Sequence, residues 1–511
     1  MSAAQSPHVV MALQFWPRGG SAQVVRYLVP EIVAAGWPVS LVTGSLGGPG
    51  ADGYAPEFFA PLPVTAVDYT PAMDAWQAGG DPFSVPVPLH PSFEDRAGAP
   101  DRVFASVDDD DFERQVAAWS EALVDGGLDT ATVAHLHHLT PINEAVHRRR
   151  PDLPVIVSLH GTELNMLEAI MGGGDDGGGP GWPHAQAWAA RLRAWATRAD
   201  RLLVDSPTDR ERALAVFDVP AERLVIEAPG VDQERFRPGH RTAPERMELL
   251  RTWLVTDPRG WDESGVVGSV RYTPQQLTTF ADPDQPVLIF VGRFTTPKRL
   301  PLLLRAYARA RREHGVRAPL LVWGGFPGEW EGAHPVSVVR DEGIDGVFFT
   351  GWRGHDELPT GLGCADVFVS PSVGEAFGQV FVEAMACGLP VVAAASGGPL
   401  SFVNDVEGEP NGWLVRPDDE VALAAALADA TAGPAAAAER VARAANALAQ
   451  VRARFSWATA ARDVVEHYEQ VSAPAAHEVA RRATGSLVGV PAHSPTADTP
   501  STGETSCLEE A

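Results

Sequence analysis

Cysteine is scarce in this chain. The 511 residues include three cysteines, Cys364, Cys387 and Cys507, and no two of them have the spacing of a metal-binding pair. A disulfide scaffold or a structural zinc site needs more cysteines at short, regular intervals. The scarcity excludes both classes and is typical of proteins of the reducing cytoplasm.

Positive charge is also in short supply. Lys and Arg number 40 against 66 Asp and Glu, so the formal net charge is −26. A surface with this excess of acid repels nucleic-acid phosphates and anionic lipid headgroups unless one face is locally basic. We therefore expect no nucleic-acid partner.

Long apolar runs are absent as well. No segment approaches the roughly 20 uninterrupted apolar residues of a membrane-spanning helix. The N-terminal sequence MSAAQSPHVV lacks a charged region followed by a long apolar core. The sequence predicts a cytoplasmic protein that is not exported and has no transmembrane segment.

The chain is rich in short β-branched runs that alternate with longer amphipathic stretches. It is too long for one hydrophobic core, and its 45% of apolar residues suffice for two. Strand candidates begin at Val9, Pro38, Val64, Thr132, Pro154 and Arg201, and again at Pro286, Ala318, Gly346, Asp366, Leu389 and Gly412. This alternation predicts an α/β protein with two Rossmann-like, doubly wound domains that face each other across a cleft.

Shifts in composition predict the domain boundaries. The predicted parts are an N-terminal acceptor-side domain at 1–238, a polar interdomain insertion at 239–285, a second domain at 286–454, a helix that crosses back to the first domain at 455–471, and a disordered tail at 472–511. The second domain includes an Ala-rich helical region from Asp418 to about Ala449. A glycine-rich segment at 171–181 has no phosphate-loop lysine and is interpreted as a mobile loop or lid edge, the alternative being a direct ligand contact.

A basic loop follows the first strand of the second domain. The strand VLIFVG leads into RFTTPKRL, which places Arg293 and Lys298 in one loop just ahead of a helix. Loops at the carboxyl ends of parallel strands are where open sheets bind ligands. Two cations near a helix N-terminus suit a diphosphate, because the guanidinium grips two oxygens while the ammonium supplies a compact charge. The alternative is a solvated basic pair at a helix start.

The segment GEAFGQVFVEAMACG, from Gly374 to Gly388, carries two glutamates in an otherwise apolar pattern. We expect Glu375 in a loop, Gly378 at a helix start where free N–H groups can receive phosphate, and Glu383 about one turn inside the helix. A carboxylate in such a place needs a partner, because burying an unpaired charge is costly. Sugar hydroxyls suit both, with a hexose at Glu375 and a ribose at Glu383. The alternative is a helix-start glutamate followed by an exposed one.

The first domain offers acceptor-side candidates at its strand ends. Gly19 and Gly20 in PRGGSAQVV open a helix and permit close approach of a ligand. In HLHHLTP either His137 or His138 should face the cleft, and His138 is favoured. Glu163 either hydrogen-bonds an acceptor hydroxyl or caps the helix that follows it.

Together these fragments resemble the retaining glycosyltransferases of the GT-B fold, family 4 in particular, over roughly residues 9–471. The matches in chain order are PGVD at 229–232, Gly292 and Arg293 with Lys298, and the Glu-x7-Glu motif as Glu375 and Glu383. Each fragment is common, whereas the set in this order and at these separations is specific.

The resemblance implies a nucleotide-sugar donor bound mainly by the second domain. The basic pair would hold the diphosphate, the second glutamate the ribose, and main chain at 352–353 the base. The first glutamate, with backbone at 377–379, would hold the donor sugar. The implied donor-binding residues are Arg293, Lys298, Trp352, Arg353, Glu375, Phe377, Gly378, Gln379 and Glu383. The implied catalytic residues are Glu375, Arg293, Lys298 and His160, which stands where the family carries a histidine near the donor hexose.

The predicted activity is transfer of a hexosyl-type group from a nucleoside diphosphate sugar to an acceptor hydroxyl, with the anomeric configuration retained. The cations and the helix N-terminus would stabilise the charge on the departing diphosphate, so no metal or other cofactor is expected. The acidic run at 108–111 is interpreted as a solvated helix start. The acceptor is left open between a small molecule, a lipid-linked group and a glycan.

Other activities fit the same scaffold. A glycosyl phosphorylase or a sugar synthase would share the donor loops, and a non-catalytic nucleotide-sugar-binding protein would need only the cleft. An inverting GT-B enzyme or a sugar-nucleotide epimerase is disfavoured by the Glu-x7-Glu motif. A dinucleotide-dependent oxidoreductase is disfavoured because no Gly-x-Gly-x-x-Gly follows the first strand of either half.

Overall fold

Two parallel β-sheets organise the chain, each inside its own α/β domain. The computed structural model describes residues 7–96, 98–172, 181–239, 241–406 and 408–473. Most of the predicted tail, with Cys507, and residues 173–180 of the glycine-rich segment lie outside these ranges. The two sheets confirm the predicted α/β fold class.

The first sheet contains the six strands predicted in the first half and a seventh, Leu224–Ile226, that was not predicted. They are β1 (Val9–Leu13), β2 (Val39–Ser45), β3 (Val64–Asp68), β4 (Val133–His137), β5 (Val155–Leu159), β6 (Arg201–Val204) and β7 (Leu224–Ile226). Their spatial order is β3-β2-β1-β4-β5-β6-β7, and every neighbouring pair is parallel. The central strands β1, β4 and β5 are almost wholly buried because helices cover both faces of the sheet. The helices of this domain are α1 (Gly20–Ala34), α2 (Ala55–Phe58), α3 (Thr70–Gln77), α4 (Asp109–Asp125), α5 (Pro141–Arg149), α6 (Thr162–Met171), α7 (Ala185–Arg198) and α8 (Pro207–Val216).

The second sheet repeats this plan. Its strands are β8 (Leu288–Gly292), β9 (Leu320–Gly324), β10 (Val347–Gly351), β11 (Val367–Ser370), β12 (Val391–Ala394) and β13 (Gly412–Val415). They are parallel in the order β10-β9-β8-β11-β12-β13. The helices are α9 (Ala243–Arg251), α10 (Leu300–His314), α11 (Pro335–Asp341), α12 (Leu358–Leu362), α13 (Gln379–Ala386), α14 (Glu420–Thr431), α15 (Gly433–Arg454) and α16 (Trp457–Ser472). The chain changes direction of winding beside β1 and beside β8, and such switch points create ligand crevices at the carboxyl ends of the strands.

The segment predicted as an interdomain insertion packs instead on the second domain. Leu250, Trp253 and Leu254 are buried in the same apolar cluster as residues of β8 and β9, because their helical spacing gives one apolar face. Tyr272 covers the free edge of β10, where its hydroxyl accepts a hydrogen bond from the Phe349 backbone N–H at 2.8 Å. The segment therefore completes the second core and protects an edge strand.

The final helix α16 returns to the first domain, as predicted. Its buried face, including Val464 and Tyr468, packs in one cluster with residues of α1 and β1. The Tyr468 hydroxyl lies 2.6 Å from Nδ1 of His135 on β4. At the crossing, the Val231 backbone N–H donates to the Phe455 carbonyl at 3.2 Å. A Cβ placed on Gly230 would lie 2.4 Å from the backbone nitrogen of the first residue of α16, so only glycine fits there.

The helices were also compared with the requirements of a membrane crossing. Within the described ranges, no single helix has both the length and the apolar composition required. Residues 420–431 and 435–454 satisfy them only as a pair bent by 93°. Leu423 and Leu427 on the first of these segments are buried in the core of the second domain.

Tyr468→Phe should lower the stability of the fold by about 1–3 kcal/mol, because the buried Nδ1 of His135 loses its hydrogen-bond partner. The measurement is the midpoint and slope of urea unfolding. Glu469→Gln, one position along the same helix on its exposed side, is the matched control and should unfold like the wild type. An unchanged midpoint for Tyr468→Phe would contradict this account of how α16 is held.

Candidate active site

The best-defined polar pair in the cleft joins the ends of two neighbouring strands. Lys298 lies in a short helical turn after β8, and Glu375 lies in the loop after β11, which pairs with β8. The Lys298 Nζ atom donates to Glu375 Oε1 at 2.5 Å, and both side chains are largely buried. Burial raises the pKa of Glu375, but Lys298, together with Ser372 and Arg293, lowers it more, and the net pKa lies below the ordinary glutamate value. Glu375 is therefore an ionised carboxylate whose main partner is the Lys298 ammonium group.

Helix α13 begins where the sequence predicted. Its N-cap is Gly378 with φ of +94°, and a Cβ there would lie 2.9 Å from the ring of Phe381. The side chain of Phe377 is buried against Phe402, and that of Gln379 donates to the Gly230 carbonyl at 2.6 Å. The backbone at 377–379, with the free N–H groups of the first turn, is thus what this segment offers to a ligand.

Glu383 lies one turn inside α13 and is buried, so the alternative of an exposed helix glutamate is wrong. Its Oε1 atom is 2.8 Å from Nε2 of His355, in the loop after β10. His355 was not among the predicted site residues. Its place after the carboxyl end of a strand was the available signal, but nothing in the sequence linked it to Glu383.

Arg293 faces the first domain rather than Lys298. Its two terminal nitrogens donate to the Glu94 carboxylate at 3.0 and 3.1 Å, in a bidentate ion pair across the cleft. Burial lowers the pKa of Arg293, but Glu94 raises it more. The pKa of Glu94 is lowered on balance, chiefly by Arg293 acting against burial. No sequence pattern pointed to Glu94, which lies in the irregular segment PSFEDR.

Two exposed aromatic rings lie where the nucleobase of the donor is predicted to bind. Trp352 follows β10, and its ring centroid is 5.9 Å from that of Phe326, which follows β9. The side chain of Arg353 points the other way and is buried. Its guanidinium donates to the carbonyls of Trp253 at 3.0 Å and Asp257 at 2.6 Å. The Arg353 side chain is therefore engaged within the protein, and a contact of its main chain with the base stays a prediction.

Histidines from adjacent strands meet on the first-domain side of the cleft. Nε2 of His160 lies 3.0 Å from Nδ1 of His137, and Nδ1 of His160 lies 3.7 Å from a carboxylate oxygen of Asp205. Burial lowers the pKa of His160, but Asp205 and other nearby carboxylates raise it more, so the net shift is upward. His138 does not share this contact and instead pairs with Glu163 at 3.0 Å. At the start of α6 Glu163 also accepts hydrogen bonds from the His160 backbone N–H at 3.4 Å and the Thr162 hydroxyl at 3.2 Å, which agrees with the alternative of a helix cap. Its hydrogen bond to an acceptor hydroxyl stays a prediction.

The glycine loop after β1 is open. Helix α1 begins at Gly20, and Gly19 before it has φ of +82°. A Cβ at either position would meet nothing within 4 Å, so the space above this helix start is free for a ligand.

The acidic run at 108–111 starts a helix, as predicted. Asp108 caps α4 by accepting a hydrogen bond from the Asp111 backbone N–H at 2.8 Å. The expectation that the whole run is solvated is wrong for Asp111, which is buried and paired with Arg102 and Arg114. Among the described residues, no group of three or more His, Cys, Asp or Glu side chains could hold a metal ion.

Comparisons with known proteins give the family. Residues 18–235 match the family model described as Glycosyltransferase Family 4, and residues 285–432 match that described as Glycosyl transferases group 1. D-inositol 3-phosphate glycosyltransferase of Saccharomonospora viridis is 31% identical over 332 residues, covering 64% of this chain and 67% of the relative. D-inositol 3-phosphate glycosyltransferase of Salinispora tropica is 29% identical, and the match covers 64% of this chain and 61% of that protein.

Solved structures give the architecture. Sucrose-phosphate synthase from Thermosynechococcus elongatus superposes with a TM-score of 0.61 at 20% identity, covering 91% of this chain and 99% of that one. Anabaena HepE in complex with UDP-glucose gives a TM-score of 0.59 at 19% identity, with 91% and 99% coverage. Fold and site thus define a glycosyltransferase of the GT-B architecture. The chain belongs to glycosyltransferase family 4.

Lys298→Met should destabilise the protein by about 2 kcal/mol at pH 7, because it leaves the Glu375 carboxylate without its cation. This is less than the roughly 3–5 kcal/mol of a fully buried pair, since both side chains keep some exposure. The folded pKa of Glu375 lies below that of an unfolded glutamate, about 4.3. In the variant, burial acts on Glu375 without Lys298 and raises its pKa, so the difference between wild type and variant should be complete only above that raised pKa and should disappear as the pH falls through the lowered pKa of the wild type.

The measurement is urea unfolding of both proteins from pH 7 to pH 3. The double variant Lys298→Met/Glu375→Gln removes the charge as well as its partner and should regain most of the lost stability. A loss that persists unchanged at pH 3, or that the second substitution deepens, would show that the pair is not the cause.

Proposed function

We propose that this protein transfers a hexosyl-type group from a nucleoside diphosphate sugar to an acceptor hydroxyl, with retention of the anomeric configuration. The observation that carries the proposal is the convergence of Lys298, Glu375 and the N-terminus of α13 on one stretch of the cleft. A carboxylate held by one cation can accept hydrogen bonds from sugar hydroxyls. The free N–H groups of a helix start suit the neighbouring phosphates.

The same groups suit the chemical step. Negative charge develops on the diphosphate as the bond to the sugar breaks, and Lys298, Arg293 and the helix N-terminus can stabilise it without reorganisation. We propose that no metal or other cofactor is required for this role, so a chelator should leave activity unchanged. Retention is proposed from membership of the family, whose Glu-x7-Glu motif is present as Glu375 and Glu383.

Names of similar proteins support the donor class and suggest substrates to test. The Anabaena structure is described as a complex with UDP-glucose, so UDP-sugars are the first donors to test. The relatives are named for D-inositol 3-phosphate, which is therefore the first acceptor to test. The aromatic pair Trp352 and Phe326 offers a surface on which a nucleobase can stack.

The test uses a panel of UDP-, GDP-, ADP- and dTDP-sugars, with release of nucleoside diphosphate as the readout. The wild type should hydrolyse its donor slowly and transfer it faster to an acceptor, and product NMR should show the donor's anomeric configuration. Glu375→Gln should lower turnover about 100-fold or more, since the carboxylate aids the chemistry. Glu469→Gln, on the exposed side of α16, is the control and should keep the wild-type turnover. No binding of any nucleoside diphosphate at millimolar concentration would contradict the proposal.

Glu94→Gln should bind nucleoside diphosphate more tightly than the wild type, because Glu94 occupies the guanidinium of Arg293 in the unliganded cleft. The pair is partly exposed and worth about 0.5–1 kcal/mol, so Kd should fall about two- to fivefold. The control is Glu329→Gln, which removes an equal charge that pairs with Arg18 and Arg96. Isothermal titration calorimetry measures both, and an equal decrease in Kd for the two variants would point to net charge instead of displacement.

A further inference from the structure

The side chain of His355 is directed at Glu383. Its Nε2 atom lies 2.8 Å from Glu383 Oε1, and the two side chains are 15% and 5% exposed. The other ring nitrogen, Nδ1, is buried and forms no hydrogen bond with any described residue. Because a carboxylate only accepts hydrogen bonds, Nε2 is the donor of this pair. Within the described part of the chain, the contact with Glu383 is therefore the single polar contact of the ring.

The loop that carries His355 is anchored at its backbone and at its ring. The guanidinium of Arg235 donates to the His355 carbonyl at 3.2 Å and to Asp356 Oδ1 at 2.7 Å. The imidazole packs against the rings of Phe236, at 5.3 Å between centroids, and Tyr27, at 6.1 Å. The ring therefore offers its hydrogen bond from a fixed position.

Glu383 depends on this donor. Among the described residues, none other than His355 forms a hydrogen bond or an ion pair with its carboxylate. A buried carboxylate without a partner is costly, so removal of the imidazole would leave it to turn away or to take up a proton. His355 thus stabilises the carboxylate and holds it in one orientation.

The position of this pair suits the ribose of a nucleotide whose phosphates bind at the start of α13. Glu383 follows the N-cap Gly378 by five residues, which is about 7.5 Å along the axis of a helix. His355 follows Trp352, the proposed stacking surface for the nucleobase, by three residues in the same loop. One loop and one helix therefore flank the places proposed for the base, the ribose and the phosphates.

We propose that His355 is the positioning residue of Glu383 and that, through this pair, the protein selects donors that carry ribose hydroxyls. The inference rests on the proposed function and on the ribose contact of Glu383 that the family resemblance implies. A ribose hydroxyl donates to the carboxylate that His355 orients. A site built to hydrogen-bond a hydroxyl rejects the analogue that lacks it, because the buried polar group then stays without that donor.

The experiment uses the intact protein with UDP and with 2′,3′-dideoxy-UDP, which lacks both ribose hydroxyls. GDP or ADP and its dideoxy counterpart replace this pair if the wild type binds them more tightly. Isothermal titration calorimetry should show that the wild type binds UDP about tenfold or more tightly than the dideoxy compound, since hydrogen bonds to charged groups have this worth.

His355→Phe should weaken the binding of UDP and leave the two Kd values within about threefold of each other, because the carboxylate loses its orientation. In donor hydrolysis by this variant, KM should rise while kcat changes less than about threefold, since the ribose is remote from the bond that breaks.

Matched variants separate positioning from other effects. His355→Gln has an amide nitrogen that can replace Nε2 and should keep the wild-type ratio of the two Kd values. His314→Phe changes an exposed histidine in the last turn of α10 and should also keep it. In a Glu383→Gln background, His355→Phe should change the ratio less than about twofold, because His355 acts through the carboxylate.

The wild type alone supplies a second readout, which remains available if His355→Phe does not fold. The ¹⁵N resonance of His355 Nε2 should shift on addition of UDP and much less on addition of 2′,3′-dideoxy-UDP, because only ribose hydroxyls share the carboxylate with the imidazole. Equal shifts would overturn the proposal, and so would a wild-type ratio retained by His355→Phe. Equal weakening of both ligands by this variant would assign His355 a structural role instead.

The proposed function and the role of His355 fail in different ways. If the wild type binds no nucleoside diphosphate, the proposed function is wrong. If it binds UDP and releases UDP from a UDP-sugar but does not distinguish the dideoxy compound, only the assignment of His355 and Glu383 is wrong.

Discussion

A carboxylate that leaves water must find a cation or a hydrogen-bond donor, and the cleft is arranged around that requirement. Glu375 has Lys298, Glu383 has His355, Glu163 has His138 and Glu94 has Arg293. Each pair joins segments distant in sequence. The pairs therefore fix the cleft loops relative to one another before any ligand arrives, which is the preorganisation that electrostatic catalysis needs.

These pairs differ in whether an incoming ligand would have to displace them. The bond from Lys298 to Glu375 lies within the second domain and engages one carboxylate oxygen. The pair of Glu94 with Arg293 crosses between domains and engages both oxygens, so an anionic ligand must replace it. In the proposed function, the first pair orients a carboxylate toward the donor, while the second must be displaced by it.

Features set by local sequence were predictable, and features set by distant contacts were not. The strands, the start of α13 at Gly378 and the amphipathic face of α16 follow from periodicity and from glycine's freedom at positive φ. The Ala-rich region was expected as one helical stretch, whereas the structure breaks it between α14 and α15.

The partners of charged residues are set by distant contacts and could not be predicted from local sequence. Glu94 and Arg293 are 199 residues apart, and no spacing rule connects them. The segment at 239–285 appeared polar because its few apolar residues sit among prolines and charges, yet Trp253 and Leu254 complete a core. In HLHH, alternation along the strand sends His135 and His137 to one side, where their rings stack at 5.0 Å, and leaves His138 apart. Alternation predicts that the two neighbours differ but not which of them faces the ligand.

The glycine at position 230 has a mechanical consequence. The chain passes between the domains there and again before α16, and the two passages touch through the bond from Val231 to Phe455. Two tethers that meet at one point act as a hinge, so the domains can rotate about that point but cannot separate. Cleft opening then costs rim contacts such as that of Glu94 with Arg293, while every strand pairing in both sheets stays intact.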